Sequence, residues 1–459
     1  MRRPTENTPL SEIKSDDELI ISIKSIQETH GDDRRHADND SSSRPETNGN
    51  TNFSAEPISQ SEIGAGLPAI AAMLAPVNWS DFLRDKWSKA FLIVKGETSK
   101  FDGLFSWGDL NSALEQHRLF APRFRIVKKG RHLSETAYTT GRPALEGEAG
   151  RRPDARRIYA ELRQGATLVL DSVDEISASV STLCESLTRT FLSHCAVNAY
   201  ATWGEEPGFG VHWDDHDVFV LQVAGQKYWK IYPMTRRSPL RRDADDKPPS
   251  QVLWEGIVEQ GDLIYIPRGQ WHEAAGVGVP TLHLTFGIRS PTGTALLSWL
   301  VDELQSEEIW RQDLPLFSDA GRQDAHAALL RESIERALAQ GICARYSAAL
   351  AGTMGARPHF SFPEGVYDRL NSDVIRKIRF SGMTFSNLHV AEGQFSFDAI
   401  GRSWTFHNSL FPVLKPLLDG EIVDVESLPA LAHGVSPKRL DDVIARLLHE
   451  GLLSAHRDI

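Results

Sequence analysis

GFGVHWDDHDVFVLQVAGQKYWKIY, Gly208 to Tyr232, and GDLIYIPRGQWH, Gly261 to His272, are the two segments around which the chain organises itself. Each joins runs of strand composition to a turn. Val218-Phe-Val-Leu-Gln-Val and Tyr228-Trp-Lys-Ile-Tyr lie in the first, and Asp262-Leu-Ile-Tyr-Ile runs into Pro267 and Gly269 in the second. His212 and Asp214 stand two apart just before a strand. Residues two apart on extended backbone point to one face, so this imidazole and this carboxylate can converge on one ion. His272 follows a Pro/Gly turn that redirects the chain, which lets it face inward across a roll of strands.

Two neutral imidazoles and one carboxylate form a facial triad suited to Fe(II), with three coordination positions left open. That is the number a chelating 2-oxo acid and dioxygen need together. A structural zinc site would instead fill its shell with four protein donors. A lone histidine is usually a packed or solvated residue. The paired His-x-Asp, joined by Gly-x5-Pro-x-Gly-x2-His, makes a metal site the better reading. Asp215, His216 and His283 are nearby alternatives, and His283 fits better packed behind the site or lining the pocket. A cosubstrate acid needs a cation deep in the roll. Lys227, in Ala224-Gly225-Gln226-Lys227, is placed for that role, the alternative being a surface lysine after a turn. Asn198, Tyr200 and Thr202 alternate on one preceding strand, so they share a face from which any of them can donate to the same acid.

Outward from these segments, Val197–Thr202 and Thr281–Phe286 are further strands, and their close spacing predicts a barrel or a two-sheet roll. Upstream, Trp79, Phe82, Trp87 and Phe91 can be buried by a helix and its following strand. Phe91–Lys95, Phe124–Val127 and Ala166–Asp171 have strand composition, Ser106 caps a helix carrying Leu110 and Leu114, and Ser177–Leu192 has helical period. Gly141–Arg152 is a Gly/Pro/Glu-rich loop. After Pro291 the period becomes helical over Leu296–Trp310 and Ala325–Leu350. A last unit starts near Gly355; in it Ser436-Pro437 opens an amphipathic helix that Gly451 ends before a short final strand. That order is compatible with a winged helix, and Asp441, Asp442 and Glu450 favour a structural or protein-contact role over DNA. Residues 1–64 are polar and acidic, and are expected to be a disordered tail in which Leu19–Ile26 forms a transient helix. The expected divisions are thus 1–64, 65–290, 291–354 and 355–459.

A chain of 459 residues is too long for one ordinary core, while 41% hydrophobic and 24% charged residues give the balance of a soluble globular protein. No apolar run is long enough to span a membrane, and the N-terminus lacks the apolar core of a secretory signal. Cys184, Cys195 and Cys343 fit neither a disulfide framework nor a zinc motif, which points to a reducing, cytoplasmic home. The net charge of -12 argues against broad capture of nucleic acid or anionic membrane and suits a Lys/Arg-rich protein partner.

The segment His212–Lys230, with Gly261–His272 and Thr281-Leu-His-Leu-Thr, resembles the JmjC/cupin oxygenases of the ribosomal oxygenase type. Gly165–Leu170, Val197–Thr202 and Phe105–Leu110 extend the resemblance over about Val77 to Arg289. It implies a double-stranded β-helix with flanking helices, a helical dimerisation region making a homodimer, and a C-terminal winged-helix domain. It also implies Fe(II) on His212, Asp214 and His272, with 2-oxoglutarate as cosubstrate on Lys227, Asn198 and Thr202 lying on the supporting strand. The implied reaction is hydroxylation of a ribosomal protein side chain, arginine or histidine, although some relatives are described as histone lysine demethylases. Trp213 stands where smaller aromatics are usual, Glu205 and Glu206 add acids to a loop near the site, and the acidic tail is no family hallmark. The same triad would serve a methyl-lysine, peptide or small-molecule substrate, and an inert cupin that only binds a partner is the reading from another class.

Overall fold

The computed structural model describes residues 19–25, 67–117, 119, 121–141, 151–243, 247–339, 341–354, 359–362, 364–366, 370 and 374–456. They form two compact units, 63–300 and 301–459, the second joined by the N-terminal strand β1 (Ile20–Ser25).

Unit 63–300 contains β2 (Leu92–Val94), β3 (Phe124–Lys128), β4 (Arg131–His132), a hairpin of β5 (Thr139–Gly141) and β6 (Arg151–Pro153), β7 (Thr167–Leu170), β8 (His194–Thr202), β9 (Asp217–Ala224), β10 (Gln226–Ile231), β11 (Trp254–Glu259), β12 (Leu263–Ile266), β13 (His272–Gly276) and β14 (Thr281–Arg289). Eight of them make one sheet in the order β2-β12-β9-β14-β8-β7-β3-β4, and three make a second, β11-β10-β13. The expected two-sheet roll is therefore present. β11 and β13 escape the sequence reading: His272-Glu-Ala-Ala-Gly has little strand propensity, and β11 alternates exposed with more covered residues.

Alternation explains how the large sheet is buried on both sides. On β14, Leu282, Leu284, Phe286 and Ile288 join the outer core, which also takes Val197, Ala199 and Ala201 of β8 and Phe219 and Leu221 of β9. Helices cover that face. Ala178–Phe191 lays Val180, Cys184 and Leu187 against it, and its cap Ser177 accepts from the Val180 amide. Trp107–Gln116 opens with a reciprocal capping box between Ser106 and Asp109. Trp87 stacks on Phe191 at 4.1 Å, and Phe82 meets Tyr265 edge-on at 4.9 Å. The alternate residues face inward, where Val218 and Val220 meet Trp229, Ile231 and Val258 of the small sheet.

In unit 301–459 the expected single run over Ala325–Leu350 is two helices, Ala320–Ala339 and Ile342–Thr353, broken where Gly341 takes φ +61°. Beyond them lie β15 (Lys377–Phe380), β16 (Ser386–Val390), β17 (Gln394–Ala399), β18 (Arg402–His407), β19 (Val423–Asp424) and β20 (Leu453–His456). Sheet β1-β18-β17-β16 is antiparallel, as is β19-β15-β20. The helix after Ser436 spans Pro437–His449, and Gly451 at φ +78° leads into β20, as its sequence indicates.

The N-terminal apolar patch is corrected. Leu19–Ile26 was expected as a transient helix in a disordered tail, yet Ile20–Ser25 is a strand on β18. A bulge between Ile20 and Ser22 shifts the parity, so Ile20 and Ile23, three apart, sit opposite Phe406 and Trp404. Apolar spacing of three imitates a helix, which is why the pattern misleads. The rest of residues 1–64 lies outside the described residues, as does most of the Gly141–Arg152 loop.

Candidate active site

A cavity of about 520 Å³ opens between the two sheets, within the size range of small-ligand sites. His212, Asp214 and His272 meet on its wall, each offering a donor atom within 4.8 Å of the others. The backbone sets this up. His212 and His272 bridge antiparallel, His212 N to His272 O at 3.0 Å and His272 N to His212 O at 2.8 Å. The Gly269 amide donates to the Asp214 carbonyl at 3.0 Å, and Gly269 itself needs the left-handed φ of +83° to turn β12 back toward β13.

Protons are placed as well. Nδ1 of His212 lies 2.8 Å from the Gly210 carbonyl and Nδ1 of His272 lies 2.9 Å from the Gln270 carbonyl. A carbonyl can only accept, so each ring carries its proton on Nδ1 and presents the Nε2 lone pair to the cavity. The His272 Nε2 lies 3.6 Å from Asp214 Oδ2. Burial, with some help from His212, pushes the His272 imidazole down to about 4, so it is neutral at physiological pH. Burial pushes the Asp214 carboxyl up, but His272, His212 and His216 outweigh it and leave it below the ordinary carboxylate range. The neutral His272 imidazole and the ionised Asp214 carboxylate are in the states a metal needs.

Lys227 stands apart from this triad. It is on β10, buried, and lines the same cavity. Gly225 positions it: the chain leaves one sheet for the other there at φ +69°, and a Cβ would sit 2.0 Å from the Pro280 carbonyl oxygen. Burial alone lowers the Lys227 ammonium from 10.5 to about 7, and no acidic group acts on it among the described residues. That shift corresponds to roughly 5 kcal/mol of disfavoured charge, which an anionic ligand would relieve. His283 shares this region, held far below its ordinary pKa by burial and then by Lys227. It stacks on Tyr200 at 4.9 Å and meets Trp229 edge-on at 5.8 Å. Burial raises the Tyr200 hydroxyl to about 12, so it remains a neutral donor.

Asn198 and Tyr200 also line the cavity. Asn198 Oδ1 accepts from the Ser172 amide at 3.3 Å, and its side chain also hydrogen-bonds Tyr200, so the two polar groups are coupled on one wall. Thr202 is the predicted residue that does not reach the lining: it is buried, with its hydroxyl donating to the Ala166 carbonyl at 3.5 Å. Thr167 lines the cavity from the neighbouring strand. Of the nearby alternatives, His216 and His283 line the wall outside the donor cluster. Asp215 is taken by the Arg289 guanidinium, which donates to both its oxygens at 3.0 Å. Sequence reasoning missed Arg125, Trp229 and Thr285. Trp229 and Thr285 were findable, each two residues from a singled-out position on its strand. Arg125 was not: β3 reaches the cavity only through its pairing with β7, which in turn pairs with β8.

Residues 173–296 match the family described as the JmjC domain. That stretch carries most of the two-sheet roll and the His212, Asp214 and His272 cluster, so the site-bearing part of the chain is similar to a JmjC domain. The curated proteins the chain is similar to include ones described as ribosomal oxygenases. It is 31% identical over 257 residues to a Gallus gallus protein described as ribosomal oxygenase 1, which is 53% of this chain and 41% of that one. It is 30% identical over 222 residues to a Drosophila persimilis protein described as a bifunctional lysine-specific demethylase and histidyl-hydroxylase NO66, 47% of this chain and 30% of that one. The chain thus spans less than half the length of these curated relatives. The crystal structure of Escherichia coli ribosomal oxygenase YcfD is similar with a TM-score of 0.51 at 17% identity, covering 83% of this chain and 98% of that one. A YcfD structure described as a complex with cobalt and 2-oxoglutarate is similar at 0.50 and 18% identity, over 82% of this chain and 98% of that one. The β-rich core with flanking helices is the fold they share.

Proposed function

We propose that the chain is an Fe(II)- and 2-oxoglutarate-dependent dioxygenase that hydroxylates a protein side chain. A ribosomal protein arginine or histidine is the foremost candidate. One observation carries this: a single cavity holds two proton-placed imidazoles and a carboxylate together, and a buried ammonium without an acidic partner elsewhere on its wall. Iron and the 2-oxo acid, when bound, supply oxidative power sufficient to oxygenate an unactivated C–H bond as the acid is converted to succinate and CO2. His212, Asp214 and His272 would hold the metal, and the Gly210 and Gln270 carbonyls keep the two rings oriented. Lys227 would bind the distal carboxylate, with Tyr200 and the Asn198 NH2 as further donors. Thr202 would act behind them through packing. Val218 and Val220 keep part of the wall apolar and limit water there.

The expected result is iron-dependent formation of succinate from 2-oxoglutarate, reduced more than about a hundredfold in Asp214→Ala, beyond what losing an outer hydrogen-bond partner does. Undiminished succinate in that variant would overturn the assignment. Mass spectrometry of cellular proteins with and without this chain should find a target gaining one oxygen atom. Formaldehyde released from a methylated lysine peptide would move the reaction to demethylation. Bound iron with no turnover on any basic peptide would leave a binding protein.

The same reading extends to the rest of the chain. Residues 291–354 would pair two copies: among the described side chains of helix Ala320–Ala339 only Ser333 is buried, and Leu314, Leu316, Phe317, Leu329 and Leu338 are exposed. Residues 355–459 would be a winged-helix-like module that contacts protein, the acidic balance of the chain favouring a basic partner over nucleic acid. The cytoplasm is the proposed location; among the described residues no helix is long and apolar enough to cross a membrane.

A further inference from the structure

β1 is the one described part of the N-terminal segment, and its setting is unusual. It adds to the free edge of β18 in the sheet β1-β18-β17-β16. The Leu19 carbonyl accepts from the His407 amide at 3.0 Å, and the ladder continues from Ile20 opposite Phe406 to Ser25 opposite Arg402. In sequence β1 is separated from the next described residue, Leu67, by 41 residues (26 to 66) of strongly polar composition. The strand is thus held on its sheet by its own pairing and apolar contacts with a sequence-distant partner.

The contacts are those of a ligand rather than of a core strand. Ile20 is buried and Ile23 partly buried against the C-terminal core, while Ile21 is 43% exposed and Lys24 and Ser25 face solvent. The bulge after Ile20 interrupts the ladder. Trp404 and Phe406, the residues opposite, are fully buried and are also packed by β17 on their other side. Leu19 also packs against that core, and a strand held by backbone pairing with a few apolar anchors, here Ile20 and Ile23 on the ladder, is the pattern of peptide addition to a sheet edge.

We propose that the β18 edge is a strand-docking site and that Leu19–Ser25 is its tethered, displaceable occupant. The site takes an extended peptide with branched apolar residues at the positions of Ile20 and Ile23. Backbone hydrogen bonds supply the binding and the two anchors the selectivity. A competing peptide of the same pattern displaces the segment from the edge.

The test uses the full chain carrying Ile20→Asp and Ile23→Asp, beside the unmutated chain, and a fluorescent peptide of residues 17–27. Hydrogen exchange of the Arg402–His407 amides should be at least tenfold faster in the double variant, with exchange elsewhere in β17 unchanged. The peptide should bind the variant saturably and restore the protection, and should bind the unmutated chain at least tenfold more weakly, because its own strand occupies the edge. A peptide with both isoleucines replaced by aspartate should not bind. Equal peptide binding by the two chains, no binding to either, or unchanged β18 exchange would overturn the proposal. Protection of β18 that rises with protein concentration would also overturn it, in favour of strand exchange between copies.

Discussion

Two tryptophans, each buried on a strand, have opposite surroundings. Trp404 in the C-terminal sheet stacks on Phe406 at 6.2 Å, and its Nε1–H donates to the Ala399 carbonyl at 3.0 Å. Phe395, Phe397 and Phe406 fill the space around it. Trp229 in the two-sheet roll is also buried, yet among the described residues its Nε1–H has no partner; nor has Nδ1 of His283 beside it, and no acid acts on Lys227 on the same face. A native core rarely leaves such groups unpaired. The Trp404 indole is completed by its own core, where its one polar atom is paired. The roll keeps polar groups buried and waiting, which is tolerable where a ligand completes them.

The largest effect expected from this contrast is on the completed side. Trp404→Ala should destabilise the C-terminal unit by about 3–5 kcal/mol, the range for emptying an aromatic site. Urea unfolding followed by a probe in that unit would read it. A loss under about 1 kcal/mol would mean that this core is as loosely filled as the roll.

On the incomplete side the expected sign for stability is reversed. Lys227→Met should weaken 2-oxoglutarate binding by about 10- to 100-fold, as loss of a charged hydrogen bond does, while iron loading is unchanged. Without ligand the same variant should be more stable by about 1–4 kcal/mol, since a buried charge gives way to an apolar side chain of similar length. An unchanged affinity by calorimetry would remove Lys227 from the cosubstrate site.

A pH series tests the same lysine without a mutation. The free ammonium titrates near 7, and only its charged form attracts the dianion. Affinity should be flat below pH 7 and fall by up to tenfold per unit above it, until the complex itself titrates. Stability of the ligand-free chain should move the other way. The folded pKa lies below the unfolded value of 10.5, so the unfolded chain holds the extra proton between 7 and 10.5 and stability rises with pH across that window. Lys227→Met should abolish both trends.

How far the sequence revealed this contrast depends on which contacts are local. His212 and Asp214 are two apart, and His272 is announced by its own Pro/Gly turn, so short-range geometry sufficed for the cluster. Tyr200 and Asn198 followed from alternation. Thr202 obeys the same parity but lies at the end of β8, where its hydroxyl bonds the Ala166 carbonyl; parity gives the face and not the depth. Arg125, Val169, Tyr200 and His283 form one cross-strand row fixed by long-range register, which a single sequence does not display. β1 was misread for a similar reason. Its bulge, imposed by pairing with a strand near the other end of the chain, turned a strand into the image of a helix.

The finest test of the contrast compares two identical substitutions. Trp404→Phe removes a satisfied N–H and leaves the Ala399 carbonyl short of a donor, whereas Trp229→Phe removes an N–H that had no partner. Both shrink a buried ring by the same amount, so the packing loss largely cancels between them. The difference isolates hydrogen bonding, and Trp404→Phe should cost at least about 1 kcal/mol more than Trp229→Phe. Equal losses in chemical denaturation would mean that the indole in the roll is satisfied in solution, and that the incompleteness of the pocket rests on Lys227 and His283 alone.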